Sequence, residues 1–231
     1  MESDSHTSER KRVEAYYDRF VAEWDSDLFD PRSKERMEIA RPLMRPGGTL
    51  LVVGVGGGFE PMQFRQWGYD VTVLDVSPLG IERAREMGLP GIQADLEADP
   101  VPGRYDQIAC FEVLEHLRDP RVALEKLRDA LAPDGLLFVG LPNEFHAVRR
   151  LQVLVGRPDF ARYDWPHLRF FNARECRRMF ADAGLELCAE RPVQLAPPRM
   201  GWLRGLGRGL CRLWPAMFSF STIFSLRPMG Q

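Results

Sequence analysis

From residue 49 the chain alternates short, almost wholly apolar runs with stretches in which apolar residues recur every three or four positions. Thr49 to Val53, Asp70 to Asp75, Gly91 to Ala94, Tyr105 to Phe111 and Leu136 to Leu141 are the short runs, as expected of strands buried on both faces of a parallel sheet. The stretches between them punctuate as helices. Ser77-Pro78 supplies an N-cap and a proline at the first helical position, Leu79, Ala84 and Met87 mark an inner face, and Gly88 is placed to end the helix. Asp119-Pro120 repeats that start, Leu124, Leu127 and Leu131 carry helical spacing, and Pro133-Asp134-Gly135 is the stop. Asn172-Ala173-Arg174-Glu175 reads as a capping box whose helix runs to Gly184. This alternation predicts a doubly wound α/β sheet.

Two further strands are expected, Leu185 to Arg191 and Phe218 to Leu226. In the second, Phe218, Phe220, Phe224 and Leu226 fall on one face and Ser219, Ser221 and Ser225 on the other. Upstream of the first strand, Val13, Tyr16, Tyr17, Phe20, Val21 and Trp24 form an aromatic-rich helical face, and Asp30-Pro31 opens a second helix ending near Arg45-Pro46-Gly47. With 231 residues, 45% of them apolar, the chain is long enough for one domain with its own core. It divides into N-terminal helices (1–47), a central sheet (48–190), and an amphipathic insertion with the last strand (191–231).

Charge and cysteine usage narrow the class. No apolar run approaches the roughly 20 residues that span a bilayer, and the polar N-terminus has no hydrophobic signal core. Cys110, Cys176, Cys188 and Cys211 lack the CxxC spacing of metal and redox sites, so reduced thiols in a cytoplasm are expected, two of them in strand-like apolar runs, and no metal site is assigned. A net charge of -2 argues against general nucleic-acid binding. It conceals an asymmetry: no acidic residue follows Glu190, while Arg191, Arg199, Arg204, Arg208, Arg212 and Arg227 do. Within 199–214, Leu203, Leu206, Leu210 and Leu213 recur at helical spacing between Trp202 and Trp214, and Arg204, Arg208 and Arg212 step by four. Such a helix suits either packing on the domain as a lid or peripheral contact with an anionic membrane. Gly201, Gly205, Gly207 and Gly209 each cost about 1 kcal/mol relative to alanine, so contact must order it.

The first strand runs into Gly54-Val55-Gly56-Gly57-Gly58-Phe59. Glycines there let the backbone turn tightly and meet a ligand at the carboxyl edge of the sheet. The dinucleotide fingerprint wants Gly or Ala where Phe59 stands, which disfavours an NAD-dependent oxidoreductase. Asp75 ends the second strand, 21 residues after Gly54, where a carboxylate can accept both hydroxyls of a ribose. Asp95 ends the third, either as a turn aspartate or as acceptor for an adenine amine with Leu96 covering the ring.

With these residues in place, LLVVGVGGG (50–58), VTVLDVS (71–77), GIQADLE (91–97), CFEVLEHLRDP (110–120) and LAPDGLLFVGLPN (131–143) together resemble the successive motifs of the class I S-adenosylmethionine-dependent methyltransferases, over about residues 48 to 190. Pro142-Asn143, HLRFF (167–171) and AGLEL (183–187) are similar to the MetW-like branch. The resemblance implies a Rossmann-like seven-stranded sheet with an antiparallel last strand, N-terminal cover helices, and S-adenosyl-L-methionine as cofactor. It implies cofactor contacts from Gly54, Val55, Gly56, Gly58, Asp75, Val76, Asp95, Leu96 and Phe111, with Tyr16 or Tyr17 near the methionine carboxylate. The family's acidic residue two places before the first glycine is Val52 here.

Methyl transfer requires alignment of a nucleophile, with acid-base help chiefly when the acceptor is a hydroxyl. Glu112, Glu115 and His116 follow the fourth strand. His116 is the first candidate base, against a packing role on the next helix, and His167 is a second base or a substrate ligand. Glu112 is expected to serve the cofactor's amino group or the loop. His146 and His6 are expected in solvent. Arg149, Arg150, Arg157, Arg162 and Arg169 hint at an anionic acceptor. The leading expectation is methylation of an oxygen on a small-molecule, glycan or lipid-linked acceptor; the alternative is a MetW-like regulatory binding protein of the same fold.

Overall fold

The computed structural model describes residues 2–23, 31–159, 167–194 and 201–230. Among these, seven strands form one sheet in the order β3-β2-β1-β4-β5-β7-β6. β1 (Thr49–Val53), β2 (Asp70–Asp75) and β4 (Tyr105–Phe111) have the expected bounds, and β3 is Gly91–Gln93. These four and β5 (Leu131–Pro142) are parallel, while β7 (Ser219–Pro228) lies antiparallel between β5 and β6 (Leu185–Gln194). The order in which strands are added therefore reverses between β1 and β4, the place where open α/β sheets bind ligands.

Side chains of alternate strand residues enter two apolar layers. Leu51, Val53, Ile108, Cys110, Leu137 and Val139 meet α5 (Pro120–Asp129) and α7 (Ala173–Asp182) through Leu124, Leu127, Cys176 and Phe180. Leu50, Val52, Val71, Val73, Ala109 and Phe138 pack with Met37 and Ala40 of α2 (Pro31–Ala40), Phe64 of α3 (Phe59–Gln66) and Ala84 of α4 (Pro78–Glu86). Burial of both sheet faces explains the near-continuous apolar strands. The caps form as the sequence predicts: Ser77 Oγ accepts from Gly80 N, Asp119 from Arg121 and Val122 N, and Asn172 with Glu175 makes the capping box.

Several boundaries differ from expectation. Pro133-Asp134-Gly135 does not stop α5. That helix ends at Asp129, Leu131 already pairs with Tyr105, and the turn residues form an irregularity inside β5, with Asp134 at φ 62, before pairing resumes at Gln107 and Leu136. β3 stops before Ala94, β6 runs on to Gln194, and β7 starts one residue after Phe218 and continues to Pro228. Ser219, Ser221 and Ser225 are buried, because β7 is an interior strand rather than an edge. The second N-terminal helix ends at Ala40 and gives way to a 3-10 turn, Arg41–Leu43, where Pro42 removes a donor. In α4 Gly80, Ile81 and Ala84 are buried, and Leu79 and, just after the helix, Met87 pack half-buried against the same core. Cys188, on the edge strand β6, is exposed, and the four cysteines are free. Trp24, Asp30, Arg162 and Arg199 lie outside the described residues, as do the side chains of His6, Phe20, Trp202, Leu203 and Arg204.

Three helices sit beside the sheet's carboxyl edge or on its antiparallel side. α1 (Glu2–Glu23) lies against α4, α6 (Ala147–Leu154) follows β5, and α8 (Gly201–Leu213) packs on β6 before the short α9 (Pro215–Phe218). Among the described residues no helix is long and apolar enough to cross a membrane.

Candidate active site

A cavity of about 880 Å³ opens at the carboxyl ends of β1, β2 and β4, roofed by α1, within the usual range for a small-molecule site. Gly54, Val55, Gly56, Asp75, Val76, Asp95, Leu96, Phe111, His116 and His167 all line it. Gly58, expected with them, does not: it is the left-handed N-cap of α3 at φ 82, where a Cβ would meet Met87 Sδ at 2.6 Å. Gly57 and Phe59 line the wall instead.

The loop after β1 is held by Asp75. Its Oδ2 accepts from Val55 N at 2.7 Å and its Oδ1 from Ser77 N at 2.8 Å. A carboxylate has about four acceptor positions, so capacity remains on the cavity side for hydroxyl donors. Burial raises the Asp75 pKa, and the N–H groups of Val55 and Ser77 oppose that rise. Gly56 has φ 50, and a Cβ there would meet nothing within 4 Å; the loop needs glycine for its turn and leaves open space above it. Asp95 both lines the cavity and builds a turn, its Oδ1 accepting from Glu97 N and its own N–H donating to Asp99 Oδ2.

Tyr16, Tyr17 and Val13 of α1 form part of the roof. Asp18 latches the helix: its Oδ1 accepts from Ser77 Oγ at 2.5 Å and from Leu79 N at 3.1 Å. Tyr17 stands edge-on to His116, with ring centroids 6.1 Å apart. Burial, followed by the charges nearby, pushes the Tyr17 hydroxyl well up, so it stays protonated.

Arg36 is a cavity residue the sequence did not single out. It is buried, donates from Nε and Nη2 to Glu60 Oε1 at 3.0 and 2.8 Å, and places Nη1 3.2 Å from Glu112 Oε1. Glu112 therefore meets a cation, and its backbone φ is 54. Burial raises its pKa while Arg36 lowers it. The one local signal was an arginine beside Met37 in the apolar stripe of α2. Val52, where the family carries an acid, packs with Phe64 and Val73 and does not reach the cavity wall.

The opposite wall is built from two segments that fold together. Glu115 and His116 lie on a 3-10 turn, Leu114–His116, after β4. Leu168 N and Arg169 N both donate to the Glu115 carbonyl, at 2.8 and 3.0 Å, which draws His167 alongside. The rings of His116 and His167 lie 4.9 Å apart at 73°. Glu115 is 0% exposed; its Oε1 is 4.0 Å from Nε2 of each histidine, and neither carboxylate oxygen accepts a hydrogen bond from the protein. Burial, then the neighbouring Glu112, raises its pKa well above the usual carboxylate value.

His167 Nδ1 is 2.8 Å from Glu144 Oε1, and Arg149 Nε is 3.0 Å from Glu144 Oε2. Burial opposes ionisation of Glu144, but the His167 hydrogen bond and the Arg149 charge outweigh it and lower its pKa. An ionised carboxylate only accepts, so Nδ1 carries the proton and Nε2 turns to the cavity. His146, expected in solvent, is instead buried, accepting from Arg149 N at the start of α6 with its ring beside Phe220. Arg149, Arg150, Arg157 and Arg169 do not line the cavity. Arg149 pairs with Glu144, Arg150 donates to the Phe145 carbonyl, and Arg169 donates to the Arg118 carbonyl.

Comparison with known proteins settles the family. Residues 18–190 match the methyltransferase domain family. The chain belongs to that family. It is an S-adenosylmethionine-dependent methyltransferase. The ubiquinone biosynthesis O-methyltransferase of Xanthomonas euvesicatoria pv. vesicatoria (strain 85-10) is 29% identical to this methyltransferase over 208 residues, 81% of this chain and 87% of that protein. The protein of the same description from Xanthomonas campestris pv. campestris (strain B100) is 30% identical over 173 residues, 69% of this chain and 71% of that one. Among solved structures, an S-adenosylmethionine-dependent methyltransferase from Mesorhizobium loti is 16% identical with a TM-score of 0.64, covering 88% of this chain and 100% of that chain. The 1,6-didemethyltoxoflavin-N1-methyltransferase of Burkholderia thailandensis, solved with S-adenosylhomocysteine, is 14% identical with a TM-score of 0.58, covering 99% and 87%.

Proposed function

We propose that this methyltransferase acts in the cytoplasm on a hydroxyl oxygen of a small, amphiphilic or lipid-linked acceptor. The observation that carries the reading is the pair of imidazoles, His116 and His167, one of them oriented by Glu144, on the cavity wall across from the glycine loop. An acceptor hydroxyl is the group that needs a proton removed there, and the relatives from Xanthomonas are O-methyltransferases. When bound, S-adenosylmethionine supplies a methyl carbon on a sulfonium; the C–S bond breaks as the O–C bond forms. Gly54, Val55 and Gly56 give their backbone to its amino-acid end with Phe111 beside Arg36, Asp75 beside Val76 accepts the ribose hydroxyls, and Asp95 and Leu96 bound the adenine. The Arg36 guanidinium, held by Glu60 and Glu112, faces the methionine carboxylate. His116 and His167 hold the acceptor and act on its hydroxyl proton, and Tyr17 above His116 keeps water out.

An exposed apolar surface fits an amphiphile. Val148, Leu151 and Leu154 of α6, with Val155 just beyond it, and Leu206, Leu213 and Trp214 at α8 are exposed, with Arg208 and Arg212 beside the latter. Asn143, ahead of α6, ties to the segment after α8 and to the cavity wall: its Nδ2 donates to the Ala216 and Ser219 carbonyls, and its N–H donates to the carbonyl of Phe220, a wall residue. Apolar side chains flanked by arginine favour peripheral contact of 199–214 with an anionic membrane. The experiment is to extract the purified protein for S-adenosylhomocysteine and then supply S-adenosylmethionine with hydroxylated aromatic acceptors carrying an apolar tail. Mass spectrometry should find a methyl on oxygen. Transfer only to nitrogen or carbon acceptors would overturn the reading.

A further inference from the structure

We infer that Arg32, seated on the Phe220 ring at the acceptor side of the cavity, is a specificity residue that binds an anionic oxygen group, a carboxylate or a phosphate, carried by the acceptor. The inference deepens the O-methyl reading above, on which it rests for the atom that takes the methyl. Arg32 and Phe220 line the same cavity as His116 and His167, and the Arg32 guanidinium carbon lies 4.1 Å from the Phe220 ring centroid. Phe220 belongs to β7, which β4 and β5 separate from β1. The contact therefore stands beyond the glycine loop, on the half of the cavity left for the acceptor.

The two cavity arginines of α2 differ in setting. Arg36 is buried and fixed between Glu60 and Glu112. Arg32 is exposed and stands one turn earlier, about 6 Å nearer the N-terminus of the helix. Ser33, also on the cavity wall, accepts from Arg36 Nη2 at 3.1 Å. An anion at Arg32 is thus kept one helical turn from the methionine carboxylate at Arg36. A guanidinium resting on a ring uses its face for that contact, while its N–H donors lie in the plane and pair bidentately with carboxylate or phosphate. Phe220 holds the long side chain against the wall, which reduces the ordering required when an anion binds.

The charges around this end point the same way. The Phe220 ring also neighbours His146, at 6.2 Å. Burial and then the Arg149 charge lower the His146 pKa, Arg32 acts in the same sense, and Glu144 opposes them. His146 is therefore neutral near pH 7, and Glu144 is matched by Arg149 and His167. Glu115, beneath the histidines, is held toward its neutral form by burial. Glu35, three residues on from Arg32, accepts from Gln194 Nε2 at 2.6 Å. Of the cavity-wall carboxylates, Glu60 and Glu112 are held by Arg36, and Asp75, Asp95 and Glu97 accept from backbone N–H groups toward the cofactor end. Among the described residues the acceptor end is cationic, and an oxyanion complements it. The acceptor class is a hydroxylated molecule that presents its hydroxyl to the histidines, its apolar part to Leu168 and Phe220, and a carboxylate or phosphate to Arg32.

The test is calorimetry on the full chain loaded with S-adenosylhomocysteine, titrated with three matched probes: para-hydroxyphenylpropionate, its methyl ester, and para-hydroxyphenylethyl phosphate. At least one anion should bind more tightly than the ester, and added salt should narrow the difference. Arg32→Gln should weaken that anion about 10- to 100-fold while leaving the ester and S-adenosylhomocysteine within about twofold. Arg32→Lys, which keeps the charge without the planar fork, should recover part of the loss, and Phe220→Leu should weaken the anion by a smaller factor than Arg32→Gln. The probe that loses more in Arg32→Gln names the oxyanion. Retained S-adenosylhomocysteine binding reports that each variant is folded. A wild type that binds neither anion more tightly than the ester overturns the inference, as does an equal loss for anions and ester in Arg32→Gln, which would reduce Arg32 to packing on β7. If an anion binds through Arg32 but mass spectrometry finds methyl only on nitrogen or carbon acceptors, the anion site stands and the O-methyl reading falls. If acid and ester are bound alike and both methylated on oxygen, the reading stands and the role of Arg32 falls.

Discussion

Glu144 Oε1 lies 2.8 Å from His167 Nδ1, so a carboxylate just past β5 aims an imidazole across 23 residues of chain into the cavity. The pairing makes Glu144 a positioning residue for His167. His167→Ala should slow methyl transfer by about 100- to 10,000-fold, and Glu144→Gln by a smaller factor. Neither should change the dissociation constant for S-adenosylhomocysteine more than a few-fold, because neither side chain lies at the cofactor end. Steady-state kinetics beside calorimetry separates the two effects; a matching loss of cofactor affinity would place His167 with the cofactor instead.

The same carboxylate ties stability to pH. Glu144 has a folded pKa below its unfolded value, so its contribution is fully present above the unfolded carboxylate pKa of about 4.3 and is lost as pH falls through the folded value. Glu144→Gln should therefore be less stable than wild type at pH 7, and the gap should narrow between pH 5 and pH 3. Urea midpoints across that range measure it; a gap that widens on acidification would contradict the ionised pair.

Asp75 joins loop and ligand. Asp75→Asn weakens acceptance from the ribose hydroxyls and from Val55 N, and should cost about 1 to 3 kcal/mol of cofactor binding. Titration with S-adenosylhomocysteine reads this directly, and an unchanged affinity would remove Asp75 from the cofactor site.

Leu213 and Trp214 are 83% and 56% exposed, so charge can be placed there without disturbing the core. The Leu213→Asp, Trp214→Ser double variant should melt within a few degrees of wild type, yet lose co-sedimentation with anionic vesicles. Equal sedimentation of both proteins, or none by either, would reduce the helix to packing on β6.

Legibility in the sequence followed the range of the interactions concerned. β1, β2 and β4 were readable to the residue because a nearly all-apolar run is a local signal. Pro133-Asp134-Gly135 misled because its turn chemistry is real, Asp134 taking positive φ, while pairing with β4 carries the strand through it. α6 went unread: its cap is a histidine and its apolar residues stay exposed, so neither start signal nor core periodicity marked it. Among the site residues, those in short contiguous motifs were found. Arg36 and Glu144 were missed because their partners lie 24 and 23 residues away, at Glu60 and His167, and only the folded sheet edge brings them together. His146 was misread for the same reason, its ring partner Phe220 being 74 positions on.

The latch at Asp18 has a thermodynamic corollary. One carboxylate oxygen holds α1 to the first turn of α4, two residues beyond Asp75, and α1 supplies the roof of the space that the cofactor fills. Docking of α1 and occupancy of the cavity are therefore linked equilibria: whatever fills the space adds contacts to the roof, and whatever lifts the roof releases the contents. Saturation with S-adenosylhomocysteine at 100 times its dissociation constant adds about 2.7 kcal/mol to the closed form. The N-terminal helix thus acts as a counterweight, letting a transferase that must shed its spent donor after every turnover set the residence time of that donor by the strength of the few contacts, those of Asp18 and Val21 among them, that dock α1 on α4.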